Sequence, residues 1–383
     1  AVFATLNLYY GVFNNGMLKY SKDKDGFTSA IQGLTTCITA VFLVVYIAGK
    51  SFWNNLLGLY DILIFAMFLE LFFTPAYSFW AARQRYEFKY KILIAVGSPI
   101  LGIVAVLNTT YKAEARILSF VFVQVIVGMY FYIRNLKNGK KFLDLKYWKY
   151  ALLFNLPLIP HYLSQSILNQ VDRIMINSME GPDKAAIYSV AYNISTLMVL
   201  VTSAINNSFI PYTYKKIKQK EYSDIKKNAN ILIMLVGICT FFVVAFGPEV
   251  IKIFAPSSYY EAIWVIPPVA VSVYFMFLYP LFGNVEFYFE ENIFVMLASI
   301  TGAIANLILN KIFIDMFGYL AAGYTTMVCY ILFSAGHYIF MKKVIKKHIP
   351  DAKIYDIKFI SIFSIIMIIG MILMIMSYNY VVI

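Results

Sequence analysis

Residues 155–212 read NLPLIPHYLSQSILNQVDRIMINSMEGPDKAAIYSVAYNISTLMVLVTSAINNSFIPY. Two long apolar segments flank a turn at Glu180-Gly181-Pro182-Asp183, the pattern of a helical hairpin. On the first segment His161, Gln165, Asn169 and Asp172 stand four, four and three residues apart, which puts them on one helix face. On the second, Ser189, Asn193, Thr196, Ser203 and Asn207 form another polar stripe among Leu, Val and Met. Two apolar helices with facing polar stripes predict the wall of a wet cavity in a membrane bundle.

Composition agrees with that class. The chain is 61% hydrophobic and 14% charged, with a mean hydropathy of +0.71. Soluble domains hold roughly 45–50% apolar and about 25% charged residues. Working outward from the hairpin, apolar runs cover about 1–18, 27–48, 59–82, 91–110, 115–134, 150–177, 184–210, 229–247, 262–282, 293–313, 318–341 and 358–378. Each is long enough to cross a ~30 Å hydrocarbon core. The expectation is an all-α, polytopic membrane protein with about 12 transmembrane helices. The first 18 residues resemble the second half of a hydrophobic hairpin, so a preceding helix is expected to be missing. Cys37, Cys239 and Cys329 lie far apart inside apolar runs and show no metal-ligand spacing.

Basic residues set the orientation. If residues 19–25 are cytoplasmic, so are 83–91, 134–149, 215–227, 283–292 and 342–358. Together these hold 25 of the 32 Lys and Arg. The net charge of +12 therefore reflects membrane topology rather than nucleic-acid binding. One loop dissents: 283–292 carries Glu286, Glu290 and Glu291 and no base.

A short internal repeat sets the domain plan. Val12-Phe13-Asn14-Asn15-Gly16-Met17-Leu18-Lys19-Tyr20 parallels Ala204-Ile205-Asn206-Asn207-Ser208-Phe209-Ile210-Pro211-Tyr212. Each copy is followed by a Lys-rich stretch, and both are expected to end a helix on the cytoplasmic side. Two pseudo-symmetric six-helix lobes around a central cavity follow. The first would be 1–148 (lacking its first helix) and the second 149–341. Residues 342–383 would add a basic loop and one appended helix.

No enzyme signature is present. His161, His337 and His348 have no metal-ligand neighbours, and no Gly-rich phosphate loop or Walker lysine exists. The reading is a non-enzymatic protein with no cofactor or metal. Functional weight falls on polar groups within the spans. Counting from Tyr150, His161 lies about 16 Å deep, after Pro157 and Pro160, where the helix should kink or break. It is either a substrate or proton contact or a packing histidine. Asp172-Arg173 lies about 33 Å along, as a charged gate or an interfacial pair. Asn14, Asn15, Asn206 and Asn207 either cap helix ends or line the inner cavity. Glu70 sits mid-span and needs a partner or a proton. Tyr188 and Tyr192 are candidates for stacking on sugar rings.

The run Leu156-Pro157-Leu158-Ile159-Pro160-His161-Tyr162, then Asn169-Gln170-Val171-Asp172-Arg173-Ile174-Met175-Ile176 and Ile187-Tyr188-Ser189-Val190-Ala191-Tyr192, resembles the second lobe of polysaccharide exporters. The helix Ala303-Ile304-Ala305-Asn306-Leu307-Ile308-Leu309-Asn310, followed by Phe317-Gly318-Tyr319-Leu320-Ala321-Ala322-Gly323, is similar to that family's Asn-x-x-x-Asn helix and following turn. These are the lipid-linked O-antigen and capsule repeat-unit flippases of the multidrug/oligosaccharidyl-lipid/polysaccharide exporter superfamily. The resemblance implies alternating access in the bacterial cytoplasmic membrane. The substrate would be an undecaprenyl-pyrophosphate-linked oligosaccharide, coupled to H+ or Na+. Partners would be membrane lipids and polysaccharide polymerase machinery, with no nucleic acid. Lys19, Arg83 and Arg85 on the inner side, and Arg116 and Arg173 on the outer, are then head-group candidates. A drug or cation antiporter of the same superfamily is the second reading. A membrane glycan polymerase or acyltransferase is the third.

Overall fold

The computed structural model describes residues 6–8, 11–87, 89 and 112–381, excepting the side chains of 112–116 and 379–381. The expected span at 91–110, the start of that at 1–18 and the Arg116 side chain lie outside the described residues. Within them the structure is helical throughout. The α-helices are α1 (Gly11–Lys19), α2 (Lys24–Ala48), α3 (Lys50–Leu57), α4 (Asp61–Tyr86), α5 (Lys112–Gly139), α6 (Leu145–Asn155), α7 (Ile159–Glu180), α8 (Pro182–Gln219), α9 (Tyr222–Phe254), α10 (Ile266–Tyr288), α11 (Asn292–Phe317), α12 (Ala321–His348) and α13 (Ile357–Val381). Nine of them are long and apolar enough to cross a membrane: α2, α4, α5 and α8 to α13. Helix α7 is not among the nine, because Ser164, Gln165, Asn169, Asp172 and Arg173 interrupt its apolar run.

The chain folds as two compact units, Ala1–Ile159 and Pro160–Ile383. Helix α6 belongs to the first. Trp148 Nε1 donates to the Ala30 carbonyl at 2.7 Å, and Tyr147 Oη donates to Asp23 at 2.7 Å. Helix α13 belongs to the second, where it packs on α9 and α10. Its Ser364 hydroxyl meets Tyr274 Oη at 3.2 Å.

In the first unit α4 and α5 lie side by side. They approach closely at Gly128, where a Cβ would stand 2.5 Å from the Phe73 carbonyl oxygen. Trp80 stacks on Phe131 nearby, with ring centroids 4.3 Å apart. Asn135 Nδ2 donates to Gln32 Oε1 at 2.9 Å and to the Ala76 carbonyl at 3.1 Å. This amide tie joins α5 to α2 and α4 and leaves no donor of that group unmet in an apolar setting.

At one end of this unit Asp23 caps α2, accepting from the Gly26 amide at 3.1 Å. It also accepts from Lys141 Nζ at 2.6 Å and from Tyr147 Oη. The hydrogen bond from Lys141, then that from Tyr147, holds the Asp23 carboxyl below its ordinary value. A depressed carboxyl stabilises the folded state above its unfolded pKa of about 3.9, and that contribution fades as pH falls through the folded value. The side chain is 40% exposed, so solvent screening keeps the effect modest. The melting-point gap between wild type and Asp23→Asn is therefore expected to close below about pH 4. A gap independent of pH would show that Asp23 acts through its cap geometry alone.

In the second unit α10 is the central helix. Its apolar window is 83% buried, whereas that of α13 is 17% buried and faces lipid. Helix α10 is apolar on every face (IPPVAVSVYFMFLYPLFGNVEFY), as a helix enclosed by others must be. It corrects one expectation. Residues 283–292 are not a loop, because α10 runs on to Tyr288 and buries Glu286 completely. The acidic turn shrinks to Glu290 and Glu291, and Glu291 is paired with Lys347 Nζ at 2.6 Å and His348 Nε2 at 2.9 Å.

The internal repeat is corrected as well. Its first copy ends α1 at Lys19, but the second lies inside α8, which continues through Pro211 to Gln219. The faces differ too. Asn15 is buried in the first copy, while Asn206, the counterpart of Asn14, is buried in the second.

Candidate functional site

Helix α7 starts after a break. The chain leaves α6 at Asn155, makes one 3₁₀ turn at Leu156–Leu158 and resumes as α-helix at Ile159. Pro157 and Pro160 account for it, since neither supplies a backbone N–H and each disfavours helix at the residue before it. The turn at the other end of α7 uses Gly181 at φ +93°, a conformation open to glycine at no steric cost.

Asp172 is the hub of the second unit. Its side chain points inward from α7, 2% exposed. It accepts from Thr326 Oγ1 on α12 at 2.6 Å and from Asn310 Nδ2 on α11 at 2.7 Å. It also accepts from Tyr188 Oη on α8 at 2.9 Å and from Asn306 Nδ2 at 3.4 Å. Asn310 Oδ1 in turn accepts from Thr325 Oγ1. Asn306 and Asn310 are four residues apart, so both amides reach one carboxylate from one face of α11. Among the described residues no lysine or arginine pairs with Asp172. A carboxylate held only by neutral donors inside a membrane bundle has excess negative charge, which a proton or a bound cation balances.

A second polar layer lies three turns away. His161 Nδ1 meets Ser299 Oγ, and Ser299 donates to the Val295 carbonyl at 2.8 Å. The hydroxyl oxygen is thus left to accept, so the hydrogen bonding assigns the proton of neutral His161 to Nδ1. Beside it, His337 Nδ1 on α12 contacts both oxygens of Glu286 at 3.1 and 3.2 Å. The spacing is regular. His161 and Asp172, Ser299 and Asn310, and Thr326 and His337 are each eleven residues apart, about 16 Å and almost whole turns on one helix face.

The other sequence candidates are placed differently. Asn169 is exposed and accepts from Tyr330 Oη at 3.3 Å, and Gln165 is half-buried. Arg173 turns away from Asp172, donating to the Asn169 carbonyl at 3.0 Å and covering the Tyr192 ring at 4.8 Å. The two therefore form no pair. Asn193 is exposed and Asn207 half-exposed, so that stripe of α8 looks out of the unit. The inward face carries Tyr188, Ser195, Thr202 and Asn206 instead, and Asn206 Oδ1 accepts from Asn284 Nδ2 at 3.1 Å. Tyr188, fully buried on Asp172, has no face left for a sugar ring.

In the first unit Asn14 is half-buried and Asn15 buried, and Glu70 is half-buried on α4. Lys19 lies 4.4 Å over the Tyr150 ring. Arg83 is held by Asp25 and by Glu87 at 3.0 Å, so a phosphate there must compete with two carboxylates. Arg85 lies in the last turn of α4. Sequence reasoning took Tyr188 for a sugar-stacking ring and did not connect Thr326 with Asp172. Besides Asp172 itself, the i, i+4 asparagines of α11 were the signal pointing at the network.

Residues 14–216, over half of the chain, match the family described as polysaccharide biosynthesis protein. Residues 157–312 match the MatE family. A protein of the Lsg locus of Haemophilus influenzae is 32% identical over 114 residues, and an uncharacterised membrane protein of that organism is 30% identical over 115. The chain spans 28% of the length of each of these curated relatives. In fold it is similar to a MATE transporter of Vibrio cholerae in the bent form (TM-score 0.69, 10% identity, 90% of this chain and 86% of that one). It is also similar to a MOP superfamily transporter from Pyrococcus furiosus (TM-score 0.67, 13% identity, 90% and 84%).

The described residues are helical, with nine helices long and apolar enough to cross a membrane, and share the fold of these membrane transporters. The chain belongs to the polysaccharide biosynthesis protein family, within the multidrug/oligosaccharidyl-lipid/polysaccharide exporter superfamily.

Proposed function

We propose that the chain moves an undecaprenyl-pyrophosphate-linked oligosaccharide from the cytoplasmic to the outer leaflet of the bacterial cytoplasmic membrane. The observation that carries this reading is the family match across residues 14–216. The Lsg-locus relative supports it. Uptake of a proton or Na+ at Asp172 drives the cycle, since that carboxylate is buried among Tyr188, Asn306, Asn310 and Thr326 with no basic partner among the described residues. The chain acts without a cofactor. Lys19, Arg83, Arg85 and Arg116 attract the pyrophosphate electrostatically, and polysaccharide polymerase takes up the product.

The MatE match at 157–312 favours a second reading, export of a drug or organic cation. The two separate in a bacterium lacking its own repeat-unit flippase and carrying a relaxed-specificity polymer pathway. The first reading expects restored surface polysaccharide that Asp172→Asn abolishes. Absent polymer, together with Asp172-dependent drug efflux from the same cells, would replace it with the second.

A further inference from the structure

Glu286 and His337 take no part in the Asp172 network, yet they are the most deeply buried acid–base pair among the described residues, with side chains 0% and 1% exposed. They join α10, the central helix, to α12. Gly283, one turn before Glu286, leaves room at the ring, and a Cβ there would stand 3.6 Å from His337 Nδ1. Phe333 packs edge-on against the imidazole at 4.8 Å and Tyr279 covers it at 5.4 Å. His337 Nε2 is buried with no hydrogen-bond partner.

We propose that Glu286 and His337 form a second cation site of the second unit, one that binds a single exchangeable proton three turns along α12 from Thr326, which holds Asp172. The donor set selects the ligand. One imidazole and one carboxylate are too few for a metal ion, and no group of three ligating side chains occurs among the described residues. Two such groups in contact in an apolar core hold one proton between them, as carboxylate with imidazolium or as carboxylic acid with imidazole, and both states are neutral overall. Without that proton the pair, carboxylate with neutral imidazole, carries one negative charge. Nε2, facing no acceptor, is the atom through which the single proton arrives and leaves.

The surroundings keep the charge local. Among the described residues His337 is the one titratable group acting on Glu286, so none comes from α8, α9, α11 or α13. From α7, His161 lies within electrostatic reach of His337. Two imidazoles that act on each other in low dielectric disfavour a double charge, so His161 opposes a second proton at the pair. Tyr279 faces it from α10 with its ring. The proton load of one layer and the cation load of the other are then both felt by α12.

This deepens the export reading by naming the proton as a partner, and it rests on that reading only for transport. The substrate-free test is an infrared pH titration of the purified full chain. The expected result is a protonated-carboxyl band that vanishes in Glu286→Gln and whose midpoint moves by about one pH unit or more in His337→Gln. A pair in which neither the Glu286 carboxyl band nor a His337 imidazole band changes with pH, while the chain stays folded, overturns the site.

The transport test uses proteoliposomes, a labelled undecaprenyl-pyrophosphate oligosaccharide and an imposed proton gradient without sodium. Glu286→Gln and His337→Gln should lose uphill accumulation by about tenfold or more, a loss of some 1.4 kcal/mol in driving force per decade, yet keep downhill equilibration within about twofold. The swap Glu286→His with His337→Glu should restore accumulation. Loss of downhill equilibration in both variants, without rescue by the swap, makes the pair structural and overturns the proposal. A wild type that titrates in the infrared but moves no oligosaccharide keeps the proton site and sinks the export reading.

Discussion

Asp172→Ala is expected to abolish export and to destabilise the second unit by about 3 kcal/mol or more. The carboxylate gathers Tyr188, Asn310 and Thr326 at 2.6–2.9 Å and Asn306 at 3.4 Å. Removing it strands donors from three helices in a dry interior, each costing about 1–3 kcal/mol when left unmet. Loss of the buried charge offsets part of that sum. Asp172→Asn keeps the shape and one acceptor oxygen, so its fold should survive while the charge that draws a cation is gone. The pair of variants separates the two roles. Tryptophan-fluorescence melts in detergent should drop by roughly 6–12 °C for alanine and by much less for asparagine, with surface polysaccharide lost in both. An alanine variant that melts and exports like wild type would remove Asp172 from the site.

The second large effect falls in the first unit, at Gly128. There α5 presses its backbone against the backbone of α4, with the Phe73 carbonyl oxygen 2.5 Å and its carbon 2.6 Å from the site of a Cβ. A side chain end could swing aside, but a peptide group held in a helix cannot. Gly128→Val must therefore part α4 from α5 along the contact that also carries Trp80, Phe131 and the Gln32–Asn135 tie. Overpacking of this kind costs about 1–3 kcal/mol even where side chains can yield. The expected result is a chain that fails to accumulate in the membrane, read by immunoblot of washed membranes. Gly336→Ala is the matched control. Its nearest neighbour, Ala298 Cβ, lies 3.6 Å away, an ordinary contact, so wild-type abundance is expected. Equal abundance of Gly128→Val and Gly336→Ala would refute the close approach.

The membrane architecture was readable because hydropathy acts over twenty residues at a time, and one misplaced residue barely moves it. The break before α7 was readable because Pro157 and Pro160 act locally. Glu286 was not. Pro280, Gly283, Asn284 and Glu286 together imitate a loop, and only a histidine 51 residues later makes a buried carboxylate tolerable there. No local rule joins them. Asp172 was legible as a polar residue on α7, but its depth along the chain suggested a charged gate or an interfacial pair with Arg173. Its direction, set by Tyr188, Asn310 and Thr326, depends on helices that α7 meets only after folding. The α8 stripe shows the same limit. Asn193 and Ser203 were legible as polar, but which way they look was not, since a long helix with polar residues on two sides offers no single inward face. The repeat at Asn14-Asn15 and Asn206-Asn207 was a match of letters whose buried faces are one residue out of step.

The eleven-residue spacing on α7 and α11 has a mechanical meaning. Two beams joined by one bolt can swivel about it, whereas two bolts on the same line lock them. Asp172 to Asn310 and His161 to Ser299 are two such bolts, at matching positions on two helices running the same way. The two helices can neither slide by a turn nor rotate against each other without breaking both at once. They behave as one splint. Whatever shape change accompanies transport is then absorbed beyond the bolts, and the first departure from α-helix outside them is the single 3₁₀ turn at Leu156–Leu158, three residues ahead of the first bolt.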